Sequence, residues 1–211
     1  LDMEHGSLDV GTLQSALRTE GIRGRAMVRP FGINEEQISK AIDFGAAGIQ
    51  VPGVSNLDET KMVIEACLYP PLGKKGFSPF TTSGHYGAKR ADLNVKSSNE
   101  DLIIIVNVET TEAVQNIEAI CSASRLDGVF IGKYDLSVSL GEPGNFKSDL
   151  FLGGHLSTDV FKVFLLGGCR LLRHCATLLV TLLVAFVLHH LFDLLGDIRF
   201  HNLRGLYGQR G

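Results

Sequence analysis

Five short runs of β-branched and other apolar residues end near residues 3, 28, 51, 108 and 131. Apart from one long gap the ends lie about 23–25 residues apart, the length of a strand, a helix and their turns. Leu1-Asp2-Met3 reads as the end of a strand whose beginning is missing. Ala26-Met27-Val28 is stopped by Arg29-Pro30, and Gly48-Ile49-Gln50-Val51 by Pro52-Gly53. Residues 102–108 form a continuous apolar run with one asparagine, as expected of a strand covered on both faces. Gly128-Val129-Phe130-Ile131 ends at Gly132.

The segments between these runs have helical spacing. Val10, Leu13 and Leu17 share a face, and Asn34 caps a helix through Asp43 with Ile38, Ala41 and Ile42 on one side. Further helices are expected over 58–67 and 111–120, and a Gly/Pro/Ser-rich loop from 69 to about 98. Repeated strand–helix–strand units require a parallel sheet, either a (β/α)8 barrel or an open doubly wound sheet. Neither G-x-G-x-x-G nor G-x-x-x-x-G-K-[ST] is present, so the doubly wound reading lacks its phosphate cradle and the barrel is preferred.

The residue vocabulary changes near position 148. All 11 glutamates precede it, leucine goes from 12 in the first 148 residues to 17 in the last 63, and five of seven histidines lie beyond it. Two segments are therefore expected: 1–148, an incomplete barrel, and 149–211, a leucine-rich tail. A net charge of −3 gives no reason to expect nucleic acid. Four cysteines without C-x-x-C spacing point to a reduced, cytoplasmic setting.

Polar residues collect just past the strand ends, where the active sites of parallel α/β folds assemble. Glu109 and Asp135 end consecutive strands, about 4.8 Å apart if those strands pair, and two hard oxygen donors suit Mg²⁺ or Mn²⁺. Equally open at this point is a turn cap for Asp135 and a solvated loop for Glu109. His5 reads as a general base or as a helix-entry histidine. Arg29 reads as a partner for an anionic substrate or as half of a structural salt bridge. Gly73-Lys74-Lys75-Gly76 is a basic loop, either substrate-facing or merely solvated, and Cys67 and Cys121 fall on helix faces as core residues.

Six motifs now stand in order: Asp2-Met3-Glu4-His5-Gly6, Met27-Val28-Arg29-Pro30, Ile49-Gln50-Val51-Pro52, Tyr69-Pro70-Pro71-Leu72-Gly73-Lys74-Lys75-Gly76, Asn107-Val108-Glu109-Thr110 and the run from Asp127 to Ser137. Together they resemble the HpcH/HpaI aldolase and citrate-lyase family of phosphoenolpyruvate/pyruvate (β/α)8 barrels over about residues 1–147. The resemblance implies a class II carbon–carbon lyase that makes or breaks 2-oxo-acid aldols with pyruvate as nucleophile. Its substrate would be a 2-dehydro-3-deoxy sugar acid or a 4-hydroxy-2-oxo-dioate. It further implies Glu109 and Asp135 as ligands of Mg²⁺ or Mn²⁺, with Co²⁺ or Zn²⁺ as substitutes. Arg29 would stabilise the enolate, and His5 would be the base with Asp43 as its carboxylate partner. Asn107 and the backbone at Lys133-Tyr134 would help to hold substrate. Asn107 stands where the family often has Gln, Lys75 where it usually has Arg, and Lys133 where it often has Pro.

By the same resemblance, residues 1–148 supply about strands 2–6 of a TIM barrel. The leucine-rich C-terminal segment is expected to be a divergent barrel end, an anchor through the uncharged run 176–192, or sequence unrelated to the barrel. The parent family implies a homo-oligomer, an expectation that an incomplete barrel weakens. The alternative function is a catalytically inactive barrel fragment of low solubility, membrane-associated through 176–192 in one version. A citryl- or malyl-CoA lyase-like activity ranks lower.

Overall fold

The computed structural model describes residues 1–153 apart from 20 and 23. The expected run 176–192 and the last two cysteines lie outside the described residues. Chain order is α1 (Val10–Arg18), β1 (Met27–Val28), α2 (Glu35–Asp43), β2 (Gly48–Val51), α3 (Leu57–Cys67), a 3₁₀ turn at His85–Gly87, α4 (Ala91–Asp101), β3 (Ile103–Val108), α5 (Thr111–Gln115), α6 (Ile117–Cys121), β4 (Gly128–Ile131), α7 (Lys133–Ser139) and α8 (Asp149–Gly153).

The strands form one parallel sheet in the order β1-β2-β3-β4. Leu1, Asp2 and Met3 extend it: Asp2 bridges Arg29 in parallel, Met3 N–H donates to Arg29 C=O at 2.9 Å, and Arg29 N–H donates to Leu1 C=O at 2.9 Å. Spatial order follows chain order without the reversal that defines a doubly wound sheet, so the described chain follows the strand succession of a barrel.

Local chemistry starts the helices where the sequence expects them. Asp9, Asn34 and Asn56 each accept a backbone N–H three residues on, at 2.7, 2.9 and 2.9 Å. Their apolar faces then pack against one face of the sheet. Val28, Ile49, Val51, Ile104, Val106 and Val108 are fully buried beneath Leu13, Leu17, Ile38 and Val63. Each such aliphatic contributes about 1.5–3 kcal/mol.

The opposite face differs from the expected double coverage of β3: Ile103 and Ile105 are only half-buried, as are Met27 and Gln50, and Phe130 is exposed. The expected loop to residue 98 is also corrected, because α4 occupies 91–101. That helix has no apolar stripe. It docks through amides: Asn99 accepts from Tyr69 N–H (2.8 Å) and donates to Tyr69 C=O (3.0 Å), and Asn94 donates to Ser83 C=O (2.9 Å). Cys67 and Cys121 are buried as expected.

Candidate active site

Every strand delivers its last residues to the same sheet edge. Asp2, Glu4 and His5 follow the outermost segment, Arg29 ends β1, Gln50 lies on β2, Asn107 and Glu109 end β3, and Gly132 to Asp135 follow β4. The period of two along each strand puts Arg29, Gln50, Asn107 and Phe130 on the half-covered face.

Arg29 is the hub of one cluster. Its Nε donates to Asp2 Oδ1 at 2.8 Å and a terminal nitrogen to Asp2 Oδ2 at 2.5 Å, a bidentate pair. The other terminal nitrogen lies 3.1 Å from Glu4 Oε2. That contact is electrostatic, since the buried Oε2 accepts no aligned hydrogen bond. The guanidinium holds the Asp2 carboxyl down at about 2. Burial pushes the Glu4 carboxyl up, opposed by Arg29. Hydrogen bonding to Asp2 raises Arg29 further, and Glu109 adds to that field.

A second cluster fixes Glu109. Gln50 Nε2 donates to Asn107 Oδ1 (2.9 Å), Asn107 Nδ2 donates to Glu109 Oε2 (3.2 Å), and Gly53 N–H donates to Glu109 Oε1 (2.6 Å). Gly132 packs so closely that a Cβ there would sit 2.8 Å from both Glu109 Cβ and Oε2. Asp135, one strand over, is exposed and makes no hydrogen bond or ion pair with the described residues.

Glu109 and Asp135 are the two residues at this edge that could hold a divalent cation. Their strands are neighbours, with Val108 paired to Ile131, and the donors are hard oxygens. Among the described residues no three His, Cys, Asp or Glu side chains gather into a fuller ligand set.

His5 projects from this edge with 63% of its side chain exposed, and Glu4 Oε2 lies 3.6 Å from its Nε2. The structure does not bring Asp43 to it. Asp43 is the last residue of α2, and a helix in a βα unit runs back antiparallel to its strand, so its C-terminus lies at the opposite edge. There its Oδ1 accepts from Lys75 Nζ at 2.5 Å, and that Lys75 side chain is completely buried. The expectation of a His5–Asp43 pair is thus corrected for this chain. Position at a helix end carried that signal in the sequence.

Lys133 and Tyr134 open α7 beside Gly132. The Lys133 ammonium lies over two rings, 5.5 Å from the centre of Tyr134 and 5.1 Å from that of Phe146. The basic loop separates: Lys74 pairs with Glu65, whereas Lys75 turns inward. Sequence reasoning gave no individual role to Asp2, Glu4, Gln50, Gly53 or Gly132. Asp2, Glu4 and Gly132 share motifs with residues it did choose, Gln50 sits in a motif that holds none, and all five act through partners distant in the chain.

Among the described residues no helix is long and apolar enough to cross a membrane. Residues 1–152 match the family described as HpcH/HpaI aldolase/citrate lyase. The 2-keto-3-deoxy-L-rhamnonate aldolase of Salmonella paratyphi B is 33% identical over 147 residues, covering 69% of this chain and 54% of that protein. The chain therefore spans about half the length of the curated relatives it matches. Among solved structures, an HpcH/HpaI family protein from Burkholderia cenocepacia superposes with a TM-score of 0.62 at 25% identity, over 78% of this chain and 63% of that one. Macrophomate synthase gives 0.61 at 29%, over 78% and 56%. The citrate synthase SbnG, at 24% identity and a TM-score of 0.70 over 96% and 83%, shares the fold.

Proposed function

The chain belongs to the HpcH/HpaI aldolase/citrate lyase family, and we propose that it cleaves 2-oxo-acid aldols to pyruvate and an aldehyde, and runs the reverse condensation. The substrate class is a 2-dehydro-3-deoxy sugar acid or a 4-hydroxy-2-oxo-dioate. The observation that carries this reading is the Glu109 carboxylate, held by Gly53 and Asn107 beside the strand that leads to Asp135.

Glu109 and Asp135 would hold a divalent cation, Mg²⁺ or Mn²⁺ first and Co²⁺ or Zn²⁺ as substitutes. When bound, the cation supplies positive charge that draws electron density onto the 2-oxo oxygen. Cleavage begins when a base removes the proton of the 4-hydroxyl. The C3–C4 bond then breaks, the aldehyde carbonyl forms, and the electron pair passes into the enolate of pyruvate.

His5 is the base in this scheme, exposed at the edge with the Glu4 carboxylate beside it. Arg29 directs its charge at the developing enolate oxygen. Asp2 holds the planar guanidinium by two bonds, so little reorganisation is needed as charge develops. Asn107 orients Glu109, and the first amides of α7, at Lys133 and Tyr134, would receive the substrate carboxylate.

The half-covered inner face of the sheet favours one other reading, a barrel segment that binds metal without turnover. Two measurements separate them. The enzyme requires Mn²⁺-dependent pyruvate release, followed with lactate dehydrogenase, that disappears in Glu109→Ala. A Glu109-dependent thermal shift with Mn²⁺ and no pyruvate supports the inert segment, and neither signal overturns both.

A further inference from the structure

At the N-terminal edge of the sheet, opposite the edge that carries Glu109, lies a cavity of about 450 Å³. The ends of α2, α3 and α4 meet there with the residues that lead into β1, β2 and β3. Its size is that of a pocket for a small molecule. The floor is apolar, formed by the buried Ile42, Ala46, Cys67 and Leu102. One wall comes close because Gly45, at φ +100°, has no Cβ: Thr82 Cγ2 lies 2.9 Å from where that atom would stand. His85 is exposed at the rim.

Two opposite charges line this cavity without meeting. Lys89 Nζ donates to Ser97 Oγ at 2.6 Å, and that hydroxyl donates in turn to the Asn94 carbonyl at 3.1 Å. The chain of bonds places the half-buried ammonium but leaves its charge unneutralised, since no carboxylate pairs with it among the described residues. Asp101 is the last residue of α4, where a carboxylate faces the negative end of its own helix, and no cation pairs with it among the described residues. A simple anion would be drawn by Lys89 and repelled by Asp101, and a simple cation the reverse. A small zwitterion satisfies both.

We propose that this cavity is a binding site separate from the aldolase site, and that it takes a free α-amino acid with an aliphatic side chain. The ligand carboxylate meets Lys89, its ammonium meets Asp101, and its side chain covers the floor at Ile42, Ala46 and Leu102. The proposal stands independently of the aldolase reading.

The test is an NMR titration of the full chain that follows the amides of Ala46, Ala47 and Leu102. The probes are L-valine and two analogues that each keep one charge, 3-methylbutanoate and 2-methylpropylamine. Valine is expected to shift these amides and to bind about fivefold or more tightly than either analogue, the range of one partly exposed charged contact. In Lys89→Gln valine loses its preference over the amine, and in Asp101→Asn it loses its preference over 3-methylbutanoate. Three results overturn the proposal: no shift of these amides with valine, binding of either analogue as tight as that of valine, or a preference left untouched in either variant.

Discussion

Arg29 and Asp2 meet twice, once as backbone partners in a parallel bridge and once as side chains, where the guanidinium spans both carboxylate oxygens at 2.8 and 2.5 Å. The backbone pairing sets the spacing that makes the bidentate contact fit. A residue that reads as a substrate group is thereby also half of a salt bridge. The two roles are compatible because the pair fixes the plane of the charge.

Removing that support has a pH signature. Asp2 titrates at about 2 rather than its ordinary 3.8, so the pair is intact above about pH 4 and its contribution is lost as pH falls through 2. Asp2 is more than a third exposed, so screening limits the contribution to about 1 kcal/mol or less. Urea unfolding of the parent chain and Asp2→Asn should differ by about that amount at pH 7 and converge near pH 2. A difference that persists unchanged at pH 2 would point to packing instead.

Gly132→Ala probes the cradle around Glu109. The new methyl would lie 2.8 Å from Glu109 Cβ and Oε2, so the carboxylate must move. Overpacking of this kind costs about 1–3 kcal/mol. The expected outcome is a lower urea midpoint together with weaker Mn²⁺ binding by calorimetry. Unchanged metal affinity would show that the Glu109 position is not what binding depends on.

Asn107→Ala deletes the amide that joins Gln50 to Glu109. Loss of such an outer-shell partner lowers metal affinity or activity by about 10–100-fold. Competition with a fluorescent chelator should show Mn²⁺ affinity reduced within that range. Glu109→Ala should abolish binding outright.

At the other sheet edge, Asp43→Ala strands the fully buried ammonium of Lys75. Breaking one side of a buried pair costs about 3–5 kcal/mol, whereas replacing both partners by apolar groups costs much less. Denaturant titrations should therefore rank Asp43→Ala well below the Asp43→Leu, Lys75→Met double variant. If Asp43→Ala is harmless to stability but destroys activity, Asp43 acts at the chemistry after all.

The difficulty with Asp43 shows where reading the chain runs out. The family resemblance pairs Asp43 with His5, but α2 carries it away from the strand end that holds His5. The loop expected up to residue 98 failed differently. Helix α4 buries Asn94 and Asn99 instead of an apolar stripe, so hydrophobic period could not reveal it. Lys75, which reads as a solvated or substrate-facing lysine, is buried because one carboxylate and the Tyr69 ring lie around it.

The sequence by itself determined the strands, the main helices and the Asn34 cap, because periodicity and capping act over three or four residues. It also determined that Arg29, Glu109 and Asp135 would share an edge, since parallel βα units send every strand end the same way. Tertiary structure alone decided the partners: Asp2 and Glu4 for Arg29, Gln50 through Asn107 for Glu109, Lys75 for Asp43. Those pairs depend on strand register and on the antiparallel return of each helix. Such distances are set between segments dozens of residues apart, and no local pattern encodes them.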